Sequence, residues 1–504
     1  MSSKERRTKS QQDREAKMLE QLRNGKVTRV HHEIRKKKAA LPNRLAMAED
    51  PEMELKEKQA VAEDVTKVYR KMLPDLLKNL SRIRDPRRLG SVKHKHTVLL
   101  LYGILMFVQQ VGSRREANRS MDRIQFENLQ AMFPELETIP HADTLARFLE
   151  VIEVGEIQNC MTDLLKDLIR KKKFRKYLVR ENYLVAIDGT QKLYRNYKWD
   201  DNALVRHVGS EKVAQYYVYV LESVFVLGNG ITLPLLSEFL KNEDYVVGVN
   251  KQDCERVAFA RLAKRIKRLF PKLKITLLVD GLYACGPVIS RCRRYGWGYM
   301  ITLKEGSMPD VYHEATGLIR LSPENSKQVM WGDRTQLYGW ANSIEYEHGA
   351  KRNQKEIVHV VFCYESWEEN HSRSTLIVEK KETRYCWISS APLNRWNVFE
   401  RCTKMGRYRW RIENNILTEK HQGYDYEHCY SYTWNAMEGY HFLMKIGRFL
   451  NVMAANTEIL FERVRKLGIR GFINCLKNAL SCNLLDRDGI QKVVEGVYQL
   501  KLVV

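Results

Sequence analysis

Tyr183-Leu-Val-Ala-Ile-Asp-Gly-Thr190 and Ile275-Thr-Leu-Leu-Val-Asp-Gly-Leu-Tyr283 are the two stretches on which the fold turns. Each is a short apolar run rich in strand-forming residues that ends abruptly in an aspartate and a glycine, Asp188-Gly189 in the first and Asp280-Gly281 in the second. An uninterrupted apolar run of this length reads as a strand buried on both faces. Each strand is therefore expected to carry an acid at its C-terminal end.

The sequence between and after these runs supplies the rest of a sheet. Val213–Leu227 is long and rich in Tyr, Val and Phe, Gly228-Asn-Gly230 makes a hairpin turn, and Ile231–Leu236 returns. A helix is expected over Gln252–Phe270. Its Phe259, Leu262, Ala263, Ile266 and Leu269 lie on one face and its Lys264, Arg265, Lys267 and Arg268 on another, with Pro271 as the stop. A helix near Pro287–Tyr295 and a strand at Tyr299–Leu303 follow. Strands alternating with helices imply an α/β fold with a mixed sheet flanked by helices. In open α/β sheets active sites gather at the carboxyl ends of strands, where both acids are expected.

The flanks differ in character. Residues 304–385 read as a mostly β insertion, with short strands at Glu356–Tyr364 and Ser374–Glu379 between Gly, Asn, Asp and Glu clusters. Beyond Pro392, Asn397 and Glu400 offer a capping pair for a long helix that carries Arg409-Trp-Arg-Ile-Glu413 and runs to Lys420, with Gly423 as its stop and Gly406 as a weak point that marks either a kink or the helix's true start. Residues 424–504 read as helical. On the N-terminal side, residues 61–180 carry helical periodicity through Val65–Leu80, Thr97–Val111 and Leu145–Leu168, with a helix start at Pro140–Leu149 and a basic run, Arg170-Lys-Lys-Lys-Phe-Arg-Lys176, at the end. Residues 1–60 form a basic arm whose densest block is Arg35-Lys36-Lys37-Lys38; it reads equally as a solvated tail and as a segment that tightens on phosphates. The expected organisation is thus an arm (1–60), a helical DNA-binding region (61–180), a core in two parts (181–303 and 386–455), a β insertion (304–385) and a helical C-terminal region (456–504).

The bulk numbers are consistent with several domains. The chain has 504 residues, 44% hydrophobic and 29% charged, with 85 Lys and Arg against 61 Asp and Glu for a net charge of +24. Such a surplus favours a polyanionic partner, nucleic acid first, over a merely solubilising charge or an anionic membrane surface. The longest apolar run, near Val98–Val108, is shorter than the roughly 20 residues a membrane span requires. The polar, basic N-terminus does not resemble a secretory leader. The ten cysteines lack C-x-x-C spacing and read as reduced core residues.

Asp188, Asp280 and Glu413 are the candidate chemistry. Three carboxylates brought together would repel, and at least one would protonate unless cations neutralised them. Hard oxygen ligands of this kind suit Mg²⁺. Arg409 and Glu413 stand four apart and Glu413 and Lys420 seven apart, so on one helix all three share a face. An isolated R-x-x-x-E pattern is more often an ordinary surface ion pair. The alternative is that Arg409 and Lys420 hold phosphates beside the metals.

With these motifs in place, the sequence resembles the DDE transposases of bacterial insertion sequences, in the family-four branch with the YREK signature. Asp188 in Ala-Ile-Asp-Gly-Thr resembles that family's first acid, Asp280 in Leu-Val-Asp-Gly-Leu-Tyr the second, and Glu413 in Arg409-Trp-Arg-Ile-Glu413 the third, with Lys420 seven residues on. The resemblance spans about residues 180–450. It implies an RNase H-like core interrupted by a β insertion, and two Mg²⁺ ions held by the three acids, with Mn²⁺ able to substitute. It also implies terminal inverted repeats and target DNA as double-stranded partners, a homodimer in the DNA complex, and a cytoplasmic, nucleoid-associated protein of bacteria. The signature's tyrosine falls at Gly406, and Tyr408 is the nearest phenol. Tyr385 and Trp387, alternate residues on one strand, are candidates to stack on an extruded base or, equally, core aromatics. Two other functions fit the same residues: a stand-alone RNase H-like nuclease, and a catalytically silent DNA-binding protein derived from a transposase.

Overall fold

A computed structural model describes residues 16, 20, 27–29, 48, 50–88, 90, 92–242, 254–370 and 377–503. In chain order, a three-residue strand at Val27–Arg29 precedes a run of helices: α1 (Pro51–Arg70), α2 (Leu73–Leu80), α3 (His96–Val108), α4 (Arg114–Ser120), α5 (Arg123–Met132), α6 (Ala142–Val151) and α7 (Gly155–Arg170). Then come β1 (Tyr183–Arg195), β2 (Leu204–Val208), β3 (Val213–Val226), β4 (Thr232–Phe239), α8 (Glu255–Leu269) and β5 (Ile275–Val279). They are followed by α9 (Gly286–Tyr295), β6 (Gly298–Thr302), α10 (Pro309–Leu321), β7 (Ser326–Trp331), β8 (Arg334–His348), β9 (Gln354–Asn370), β10 (Ile377–Ser389) and α11 (Val398–Thr403). The chain closes with α12 (Trp410–His421), α13 (Trp434–Ala455), α14 (Phe461–Cys482) and α15 (Arg487–Glu495). It divides into two compact units, Leu41–Leu278 with Tyr408–Val504, and Met1–Ala40 with Val279–Arg407. The α/β class and the mixed sheet are as expected from the sequence.

The larger unit is built on a sheet in the order β2-β3-β1-β5, with β4 also paired to β3. The pairs β1/β3, β2/β3 and β3/β4 are antiparallel, and β1/β5 is parallel over Tyr183–Ala186 with Ile275–Leu278. Two helices buried along almost their whole length anchor this unit. Val98–Val108 of α3 is buried throughout, and so is most of α13. They cross closely because each offers a glycine. A Cβ on Gly103 would lie 2.7 Å from the Leu443 side chain, and one on Gly447 2.7 Å from that of Phe107. Helix α1 starts at a capping aspartate, Asp50, which accepts from the Met53 N–H at 2.8 Å; Pro51 follows, and the helix buries Val61, Val65, Val68 and Tyr69. It thus begins inside the stretch read as a basic arm. No helix among the described residues is long and apolar enough to cross a membrane.

The smaller unit carries an antiparallel sheet in the order β6-β10-β9-β8-β7. Strands were expected over residues 304–385; β7 to β10 occupy Ser326–Ser389, running past that bound, and α10 precedes them. Pro309 sits in the first turn of that helix, and Val311, Tyr312 and Ala315 line its buried side.

Three further expectations are corrected. Strand β1 does not end at Asp188 but continues to Arg195, because Leu193 and the buried part of Lys192 extend its inner face past a bulge between Gln191 and Leu193. The single long helix expected over residues 397–420 is two, α11 and α12, joined through a 3₁₀ turn at Gly406–Arg409. The helical pattern of Leu145–Leu168 likewise belongs to two helices, α6 and α7, separated at residues 152–154.

Candidate functional site

Asp188 stands two residues past the last β1/β5 pair, Ala186 with Leu278, and is the register partner of Glu222 on β3. Partners across an antiparallel ladder project from the same face, so both acids lie on one side of the sheet. Glu413 comes from the first turn of α12, where the helix N-terminus favours a carboxylate. Arg409, at the N-cap of that helix, joins the two: its Nη2 is 2.7 Å from Glu413 Oε1 and its Nη1 3.9 Å from Asp188 Oδ2. The guanidinium side chain is only 10% exposed, against 24% for Asp188 and 34% for Glu413. One buried cation therefore lies between two partly open carboxylates, and it offsets the repulsion that bringing them together creates.

Asp280, the residue after β5, caps a 3₁₀ turn, Gly281–Tyr283, and accepts from the Leu282 N–H at 3.0 Å. Among the described residues no three His, Cys, Asp or Glu side chains form a group that could hold a metal ion. The donor chemistry nevertheless suits a hard divalent cation: Asp188 and Glu413 offer only oxygen donors and already share one positive charge.

The remaining candidates are tied down locally. Lys420 Nζ is 2.7 Å from Glu427 Oε1 and 5.9 Å from the centre of the Tyr426 ring. The Tyr408 hydroxyl donates to the Gly228 carbonyl at 2.8 Å, which fastens the start of α12 to the β3–β4 turn. Tyr385 and Trp387 stack at 5.5 Å with planes 14° apart. Trp387 is buried, and Arg407 lies over Tyr385 at 4.8 Å while pairing with buried Glu365. Gly406 explains why no tyrosine occupies its position, because a Cβ there would meet the Trp387 indole at 2.9 Å. Arg35, Lys36, Lys37 and Lys38 lie outside the described residues.

Sequence reasoning missed a buried charged cluster beneath these acids. Lys445 Nζ of α13 lies 2.6 Å from Glu419 Oε2 of α12 and 3.0 Å from Glu222 Oε2 of β3. Glu222 also accepts from the Tyr426 hydroxyl and the Ser237 hydroxyl, each at 2.7 Å, and His441 Nε2 stands 3.2 Å away. Burial alone would push the Glu222 carboxyl up, but the Lys445 ammonium and His441 outweigh it and hold it well below the usual carboxylate range. Burial lowers the His441 imidazole to about 3 and the Lys192 ammonium, which donates to the Tyr426 carbonyl, to about 8. The signal was present in the sequence as charges interrupting apolar runs: Glu222 in Val218–Val226 and Lys445 in Tyr440–Leu450.

Comparison with known proteins adds one match. Residues 77–165, from α2 into α7, match the family described as DDE_Tnp_1-associated. The match is a likeness of this helical segment to a family associated with DDE transposases. It falls within the helical region preceding the sheet, so it bears on the protein's kinship and leaves the acids to be judged on their own geometry. No curated protein matches the chain.

Proposed function

We propose that this protein is a DNA transposase that binds terminal inverted repeats, cuts at the element's ends and joins the freed 3′-hydroxyl to target DNA. The observation that carries the reading is the convergence of Asp188 and Glu413 on a single cation, in a chain whose helical region matches a transposase-associated family. Asp280 is the proposed third ligand. It directly follows β5, the strand that pairs in parallel with the one bearing Asp188. Two Mg²⁺ ions, or Mn²⁺ in their place, would supply the charge neutralisation that in-line phosphoryl displacement requires.

The chain's own residues would do the rest. The three acids would hold the ions and fix their separation. Arg409, displaced from the acids by the incoming ions, and Lys420 would bind DNA phosphates beside them, Arg409 as a planar fork and Lys420 as a point charge. The surplus of basic residues, including the block Arg35–Lys38, supports DNA as the partner, which we propose is held by a homodimer.

The test is strand joining. An oligonucleotide that carries a pre-cut element end should be inserted into plasmid DNA when Mg²⁺ is present, and the Asp280→Asn variant should bind the same oligonucleotide without joining it. Tight binding with no joining by the wild-type protein would favour a catalytically silent DNA-binding descendant instead.

A further inference from the structure

We propose that Lys445, together with Glu222 and Glu419, is a positioning set that fixes α12 against the sheet and thereby sets the spacing between the Asp188 and Glu413 carboxylates. The inference rests on reading those two acids as metal ligands. Its geometry closes on itself. Glu413 and Glu419 are six residues apart on α12, a separation of about 9 Å along a stiff helix. The Glu419 carboxylate is held by Lys445 at 2.6 Å, and Lys445 holds Glu222 at 3.0 Å. Glu222 is the residue directly across the β1/β3 ladder from Asp188. Each acid of the site is therefore one rigid element away from an acid of the buried cluster, and a single ammonium joins the two sides.

The supporting bonds orient the same helix. Asn415, one turn before Glu419, donates to Glu419 Oε1 at 3.0 Å and accepts from the Thr232 hydroxyl at 3.1 Å on β4. Arg448 of α13 reaches the same Asn415 oxygen at 3.4 Å. On the strand side, Ser237 and Tyr426 complete the lone pairs of Glu222.

An apolar contact would hold α12 down equally well, but it would let the helix slide. A buried ion pair does not, because a small displacement leaves desolvated charges without partners. All three charged side chains are nearly inaccessible, Glu419 fully so, and none can reach solvent to bind substrate directly. Their effect on the site must pass through the backbone of α12 and of β3.

The test uses the full chain and an isosteric neutral cluster, Glu222→Gln/Glu419→Gln/Lys445→Met, so that none of these three charges is left without its counter-charge, while Lys192 keeps its bond to the Tyr426 carbonyl. Hydrogen exchange followed by mass spectrometry reads the α12 amides, and titration calorimetry reads Mn²⁺ binding. The variant should melt within a few degrees of wild type. Its α12 amides should exchange about ten-fold faster, with those of Leu184–Ile187 unchanged, and its Mn²⁺ dissociation constant should rise about ten-fold, the usual scale for losing an outer partner of a metal site. Glu419→Asp, which keeps the charge but falls one methylene short of Lys445, should move both readouts in the same direction. Wild-type exchange and wild-type Mn²⁺ affinity in either folded variant would overturn the proposal. A wild-type protein that binds no Mn²⁺ would remove the metal reading of Asp188 and Glu413, while the exchange of α12 would still decide whether the cluster fixes the helix.

Discussion

Removing the Lys445 ammonium alone, by Lys445→Met, should be the most damaging conservative change in the larger unit. Met fills nearly the same volume, so the loss is electrostatic. Two carboxylates, Glu222 and Glu419, stay buried at 2% and 0% side-chain exposure with their shared cation gone. In the wild type burial holds the His441 imidazole down to about 3, so it is Lys445 that carries the charge opposite both carboxylates. Breaking a buried pair in this way costs about 3–5 kcal/mol, a large part of the 5–15 kcal/mol that a typical domain has in total. The sign of the pH dependence is a sharper test than the magnitude. In the wild type Glu222 titrates below its ordinary value of 4.5, so its contribution is present above that pH and is lost as pH falls through the depressed value. Without Lys445, burial pushes the Glu222 carboxyl up instead. The variant then loses stability as pH rises from about 5 to neutrality, and its deficit against wild type should shrink on acidification. Urea denaturation at pH 7.5 and pH 5.5 measures both effects. A deficit under about 1 kcal/mol, or one that does not change between the two pH values, would refute the reasoning.

Three further outcomes follow from single contacts. Gly406→Ala drives a Cβ to 2.9 Å from the Trp387 indole and should cost about 1–3 kcal/mol in thermal unfolding; a neutral result would mean that the indole can move aside. Tyr408→Phe removes the hydroxyl that holds the Gly228 carbonyl and should cost about 0.5–1.5 kcal/mol while DNA binding is kept, whereas unchanged stability with lost DNA binding would assign the phenol to phosphate. Arg409→Gln takes away the cation between Asp188 and Glu413, so added Mg²⁺ should raise the melting temperature of the variant more than that of wild type; equal shifts would mean that the acids do not take the ion.

The sheet was legible where apolar runs were continuous. Ile275–Val279 needed no correction, since every one of its side chains is buried. Leu193 and Arg195 were not read as part of β1 because the run turns polar after Asp188, and only the tertiary fold shows that Lys192 is inside, donating to a carbonyl. The break before α12 was visible as Gly406 but not as a necessity, which comes from the Trp387 indole packed against it. Helix α10 was hidden because its exposed residues outnumber its buried ones and its one glycine, Gly317, resembles a loop residue. Within the candidate site, the i,i+4 spacing of Arg409 and Glu413 foretold their ion pair, whereas Asp188 was read at a strand end and lies inside β1, its approach to Arg409 being a tertiary contact. The partners of Lys445 are Glu419, 26 residues earlier on α12, and Glu222 on β3, and local periodicity carries no record of contacts at that range.

On the proposed reading, Asp188 and Glu413 are metal-binding acids of a DNA-cutting centre. Cleavage of duplex DNA carrying the element's own ends tests it most directly, with wild type, Asp188→Asn and Glu413→Gln compared in Mg²⁺, in Mn²⁺ and in EDTA. Wild type should nick at the end only with a divalent ion present, and both variants should bind the duplex and leave it intact. Cutting in EDTA, or variants that cut as well as wild type, would contradict the assignment.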